Sequence, residues 1–320
     1  MASKYPRVDL SGLKTMSIAD RRSKVGVSSF GRPVQPAASV AELLDSLPDI
    51  LAGSSLKTII DRIAAAANER KPIVMAMGAH VIKCGLSPFV CDLIRRGIIT
   101  TVAMNGAGAI HDSEIALFGG TSEDVVEGMR SGMFGMARET AEFVNSGAAL
   151  ACEHDMGLGE SLGKALLDAG APHRDVSILS TAYESDVPVT VHVSIGSDIV
   201  HQHVSASGAN IGAASMTDFR ILTEAMKGLG QGGVLMNVGS AVVLPEVLLK
   251  ALNTIINLGH TLEGMTGVNL DFVQQYRSNQ QVVARVREIG GEGISLTGHH
   301  ELMLPLITAG VIEQMECRGH

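Results

Sequence analysis

Four short apolar runs recur along the chain, PIVMAM (72–77), IITTVAM (98–104), PVTVHV (188–193) and GGVLMNVG (232–239), each leading into a turn that carries glycine. Runs this short without polar alternation predict strands buried on both faces. The helical spacing between them has the length of parallel crossovers. SPFVCDLIRRG predicts a helix with Pro88 in its first turn and a stop at Gly97. Residues 39–69 predict two helices capped by Ser39 and Ser54. Residues 121–146 predict one long helix, capped by Thr121 or Ser122 with Glu123 and Asp124 in its first turn, whose Met129, Met133 and Met136 stripe packs into the core. Further helices are expected at 157–169, 212–229 and 244–257, and another strand at MTGVNLDFV. The fold class is α/β: a mainly parallel, doubly wound sheet covered on both faces. Nothing divides it, so one domain is expected over 1–320, with an N-terminal arm over about 1–36 whose basic run (Arg21, Arg22, Lys24) is solvated.

Composition narrows the function. Aromatics are seven Phe, three Tyr and no Trp, too few for the stacking platforms of single-strand nucleic-acid binding. A net charge of −8 argues further against nucleic acid and suits a small cationic partner. Cys84, Cys91, Cys152 and Cys317 form no CxxC pair and read as reduced thiols. With no apolar signal core in MASKYPRVDL and no run able to span a bilayer, a soluble cytoplasmic protein is expected.

Glycine is enriched, at 36 residues, and much of it falls at strand ends: Gly78, Gly85, Gly106, Gly108, Gly196 and Gly239. In an open parallel sheet those ends line the ligand crevice, where bare backbone and helix N-termini suit a nucleotide. Neither GxGxxG nor GxxxxGK[ST] is present. Lys83, in the first turn, is either a base or imine-forming amine beside a cofactor or a surface lysine opening a helix. His111, Asp112 and Glu114 are an acid–base group or a helix cap with a packed histidine. GSDIVHQH places Gly196, Ser197, Asp198, His201 and His203 after one strand, and His299-His300-Glu301 follows another. Catalytic or cofactor-contacting roles are expected of these histidines, with satisfied core histidines the alternative for one or two of them. A divalent metal on His201, His203 and His299 is the competing reading, and no metal is expected.

The order of these motifs resembles the deoxyhypusine synthase family over about residues 40–315. The stretch 78–118, with its glycine turn and His-Asp, resembles that family's early NAD-binding segment. The stretch 178–220, with a Pro-Val strand, Gly-Ser turn, histidine and Asp218-Phe219-Arg220, resembles its next block. The resemblance implies a Rossmann-like NAD-binding fold and a homo-oligomer, dimer or tetramer, with sites between subunits. On it, Gly106, Gly108, His111 and Asp112 match the glycine/acidic turn, and Gly196, Ser197 and Asp198 the Gly-Ser turn. His203 matches the active-site histidine, while His80 and Lys83 stand where the family has small polar NAD contacts. The family's reactive lysine lies late in the chain, in Ser-Trp-Gly-Lys. Here there is no Trp and no Lys after Lys250, so deoxyhypusine synthesis itself is not expected. The NGAGAIHDSE turn is also similar to the NAD-dependent ornithine cyclodeaminase domain.

The expected function is NAD-dependent oxidation of an amine or amino acid through hydride transfer and an imine, in polyamine-like transferase or oxidoreductase chemistry. Lys83, His111 and His203 are the expected catalytic groups. Gly78, His80, Gly106, Gly108, Asp112, Gly196, Ser197, Asp198 and Gly239 are the expected NAD contacts. Glu114, His201, His299, His300 and Glu301 are expected at the substrate. The alternatives are a non-catalytic nucleotide-binding oligomer and a metal-dependent hydrolase.

Overall fold

A computed structural model describes residues 3–318, with side chains to 315; the side chain of Cys317 lies outside the described residues. Six strands form one all-parallel sheet: β1 (Ile73–Met77), β2 (Thr101–Asn105), β3 (Val189–His192), β4 (Val234–Val238), β5 (Thr266–Asp271) and β6 (Glu292–Thr297), in the order β3-β2-β1-β4-β5-β6. The order reverses between β1 and β4. That is the crossover point at which open parallel sheets bind ligands, outside the carboxyl ends of the strands.

Alternation along the strands divides the core. Ile73, Met75 and Met77 of β1, with Val102, Met104, Val234, Met236 and Val238, face the helices Leu51–Asn68, Ser87–Arg95 and His300–Arg318. Val74, Ala76, Ala103 and Leu235 face the helices Gly208–Met226 and Val243–Asn257. Strands buried on both faces are mostly apolar, which is why they appear in the sequence as near-continuous apolar runs, and the polar residues within them, such as Thr190, Asn237 and Asn269, are hydrogen-bonded. Only β6, at an edge, shows polar outward positions.

Several elements differ from expectation. Ser39 caps its helix in a capping box with Glu42, but the next helix begins at Leu51, leaving Ser54 inside it. GAHVIKCG contains a one-turn helix, His80–Lys83. The stretch 121–146 is two helices, Val125–Ser131 capped by Asp124 and Arg138–Glu153, because Gly132 and Gly135 between them adopt left-handed backbone. That break turns Met129 and Met133 out to solvent, so the methionine stripe is not core. Tyr276–Glu288, unassigned in sequence, is helical with a π turn over Asn279–Ala284. Residues 3–37 bury no side chain and contain two short 3-10 turns. Cys84, Cys91 and Cys152 are free thiols, and no described helix is long and apolar enough to cross a membrane.

Candidate functional site

The carboxyl edge of the sheet carries two neighbouring groups of side chains. The first surrounds a cavity of about 220 Å3 beside the ends of β2 and β3, lined among others by Lys83, His111, Glu114, Glu123, Ser197 and Asp198. β2 ends in Asn105, whose side chain accepts from the Gly108 N–H at 2.9 Å and so caps the helix Gly106–Phe118. One and two turns along, that helix presents His111 and Glu114 to the cavity. His111 Nδ1 lies 2.5 Å from Thr121 Oγ1 and 3.7 Å from the Glu114 carboxylate. Thr121 donates to one Glu114 oxygen and Thr140 to the other, at 2.9 Å. Burial alone raises the Glu114 carboxyl, but the neighbouring His111 ring and the hydrogen bonds from Thr121 and Thr140 outweigh it and hold the group below its ordinary pKa. Glu114 is therefore a fixed anion.

Asp198 lies across the start of the same helix. A Cβ on Gly106 would come within 2.0 Å of Asp198 Oδ2, so only glycine leaves the carboxylate room. Burial raises its pKa, and His201, whose Nε2 is 4.0 Å away, opposes the rise. His201 Nδ1 also accepts from the Gly196 and Asp198 N–H groups at 3.1 and 3.3 Å, closing the turn. The helix terminus thus already holds an anion belonging to the chain.

The second group lies at the crossover point. Gly78 donates to the Val238 carbonyl, and a Cβ there would meet the Gly239 oxygen at 2.1 Å, so the β1 and β4 turns touch backbone to backbone. A Cβ on Gly239, whose φ is +66°, would strike the His300 ring at 2.8 Å. His300 is fully buried. Its Nε2 is 3.3 Å from the Leu270 carbonyl, its Nδ1 has no partner, and burial lowers its pKa. Above it are His80, Phe272 and His299. His80 Nε2 is 3.2 Å from Cys84 Sγ. Burial raises the Cys84 thiol, and the nearby Glu301 carboxylate adds to the rise, so Cys84 stays a thiol. His299 Nδ1 is 3.7 Å from Glu301.

The structure therefore gathers most of the expected residues at one edge of the sheet, in two sets. Lys83, Gly106, Gly108, His111, Glu114, Ser197, Asp198 and His201 lie around or under the cavity. Gly78, His80, Gly239, His299, His300 and Glu301 lie at the crossover. Two are placed elsewhere. Asp112 points into the core, where it accepts from Ser177 Oγ and the Ile178 and Leu179 N–H groups; it caps the helix Ile178–Glu184 and touches no crevice. His203 is bonded to the Gly135 carbonyl at 2.8 Å, holding the break between two helices. Lys83 is exposed, without the partial desolvation expected of it. Among the described residues no three His, Cys, Asp or Glu side chains group as metal ligands, so His201, His203 and His299 do not form the set that the hydrolase reading needs. Sequence reasoning missed Phe272 and Glu123. Phe272 had a signal: a large aromatic immediately after a buried strand, in a chain with few aromatics.

No protein-family model matches the chain, and no curated protein does. Solved structures match by shape. A complex of AgrE with ornithine and NAD+ superposes with a TM-score of 0.55 at 13% identity, over 84% of this chain and 34% of that one. A conserved protein from Methanococcus maripaludis S2, provisionally named LOR/SDH, gives 0.52 at 15% identity over 84% and 71%. A provisionally named deoxyhypusine synthase from Entamoeba histolytica gives 0.52 at 11% identity over 88% and 96%. The chain spans about a third of the length of AgrE. The resemblance read from the sequence holds at the level of fold: the chain has the parallel, deoxyhypusine-synthase-like α/β fold.

Proposed function

We propose that this chain is an NAD-dependent enzyme that oxidises the amine-bearing carbon of a small cationic amine or amino acid, in the cavity between Lys83 and Asp198. The observation that carries the reading is the cavity's composition: one amine, one imidazole and three carboxylates (Glu114, Glu123, Asp198) at the carboxyl edge of a parallel sheet. The complex of AgrE with ornithine and NAD+, on the same fold, supports the choice of ligands.

The dinucleotide does not suit the helix terminus at Gly106, where the Asp198 carboxylate would repel a pyrophosphate. It suits the crossover turns better: there the Gly78 and Gly239 backbones pack closely on each other and, at Gly239, on His300, His80 stands at the mouth, and the buried His300 Nδ1 lacks a partner. Gly78, His80 and Gly239 are the residues assigned to hold it. Bound NAD supplies the hydride acceptor. The chain's own groups do the rest. Glu114, Glu123 and Asp198 hold the ammonium, and His111 takes its proton, with Thr121 and Glu114 fixing the ring. Lys83 then attacks the resulting imine carbon, keeping the C=N bond as the first nitrogen leaves as an amine. As a homo-oligomer, the protein would cover Lys83 with a neighbouring subunit, supplying the desolvation that one chain lacks.

Calorimetric titration with NAD, followed by absorbance at 340 nm with a panel of amines and amino acids, tests the reading. Saturable NAD binding and NADH formation with at least one cationic amine are expected. Lys83→Met should keep the NAD affinity and lose about a hundredfold or more in turnover. No saturable NAD binding removes the reading. The exposure of Lys83 favours one second reading, a nucleotide-binding oligomer without chemistry; NAD binding with no NADH from any amine would select it.

A further inference from the structure

The chain has only seven Phe and three Tyr, yet one phenyl and three imidazoles meet at the ends of β1, β5 and β6. Phe272 is at the centre and is 48% exposed. Its ring is parallel to His299, 2° between planes and 6.3 Å between centroids. It is tilted 50° against His80 at 5.6 Å and meets His300 edge-on at 5.9 Å. Such spacings are those of interacting aromatic rings.

The exposure is built in. The Phe272 N–H donates to the Asp271 carboxylate at 2.8 Å. Gln274 accepts from Asn269 at 2.8 Å and donates to the Leu296 carbonyl at 3.0 Å, and Asn269 accepts from Asn237 at 2.7 Å. A polar ladder across β4, β5 and β6 thus pins the turn that holds the phenyl out. Beneath the rings lies His300, wholly buried with an unpartnered Nδ1. An exposed, pinned ring over an unsatisfied buried polar atom is a site arranged for a planar, partly polar ligand.

We infer that Phe272, with His80 and His299, is the stacking platform for the nicotinamide ring of the dinucleotide; the inference rests on the NAD-dependent reading above. His80 selects nicotinamide over adenine. It shares one helical turn with Lys83, three residues on, and Lys83 lines the amine cavity. The ring that accepts hydride has to lie beside that cavity, whereas an adenine does not. The Cys84 thiol, 3.2 Å from His80 Nε2, orients the imidazole.

The test titrates NADH, nicotinamide mononucleotide and ADP-ribose into wild type, Phe272→Ala and Phe272→Trp. Phe272→Ala should weaken NADH and the mononucleotide about fivefold or more and leave ADP-ribose unchanged. Phe272→Trp should keep the affinity. In a chain with no native Trp, its emission should be quenched as NADH binds. If wild type binds NADH and Phe272→Ala binds it equally well, the inference fails and the functional reading stands. Equal weakening of ADP-ribose overturns the nicotinamide assignment. A change in oligomeric mass with unchanged NADH affinity assigns the patch to a subunit contact and overturns it too. No NADH binding by wild type removes the functional reading and this inference together.

Discussion

Asp218 shows how a catalytic-looking residue can be structural. It is wholly buried, its Oδ2 accepts from the Val191 N–H at 2.8 Å and the Gly159 N–H at 3.0 Å, and its Oδ1 has no partner. Burial outweighs those bonds and pushes its pKa up to about 7. The folded state thus binds the proton more tightly than the unfolded chain. The stability this provides is complete below about pH 4 and is lost as pH rises toward 7. Asp218→Asn mimics the protonated form, so its melting temperature relative to wild type should climb between pH 4 and 7 and level off above that. A flat difference would mean that Asp218 folds ionised. Asp112 has the same character, a carboxylate given to a helix start. Sequence alone placed Asp112 in a glycine turn and Asp218 in an Asp-x-Arg helix segment, because an acidic residue in such a motif looks the same whether it faces ligand or core. Glu114 lies on another side of the helix that buries Asp112, half-buried at the lining of the cavity. Glu114→Gln keeps the hydrogen-bonding shape and removes the charge. On the proposed function it should raise KM for a cationic substrate about tenfold with little change in NAD affinity, as steady-state kinetics and calorimetry would show.

Five of the six strands and most helices were legible as elements, because doubly buried parallel strands leave largely apolar runs and glycine marks their ends; the edge strand β6, with polar outward positions, left no such run. The strand order was not, since identical apolar runs carry no label for their neighbours. The helix break at Gly132 and Gly135 was hidden by a methionine spacing that suits a longer helix equally well. Contacts between turns were also hidden, and one is decisive: the β1 and β4 turns approach closely only because residue 78 has no side chain. Gly78→Ala would press a methyl against the Gly239 carbonyl, with no flexible atom to yield. A loss of about 3 kcal/mol in urea denaturation is expected, and any NAD affinity should fall with it. Gly85→Ala meets open space but has a φ of +74°, so its cost should be smaller, about 1 kcal/mol.

At the scale of the molecule, residues 3–37 bury no side chain and meet the rest of the chain through surface contacts: backbone bonds of Ser29 and Arg32 to Asp49 and Ser46, and the Arg32–Asp45 ion pair. A chain beginning at residue 38 should keep its melting temperature within about 2 °C, measured by circular dichroism at low protein concentration. Those first residues also hold charge of the opposite sign to the whole: residues 1–36 carry seven Lys and Arg against two Asp and Glu, in a protein of net charge −8. The deletion should therefore leave a markedly more acidic protein. The pairing of β1 with β4 has a further consequence, for the order in which the molecule is made. Val74 is matched with Leu235, about 160 positions later. The first two strands and their helix can leave the ribosome and pair early, but the crevice has only one wall until β4 is synthesised and closes against β1. Whatever enters that crevice meets a binding surface only after nearly three-quarters of the chain exists, so a nascent or truncated chain exposes the apolar edge of β1 and offers no ligand to protect it.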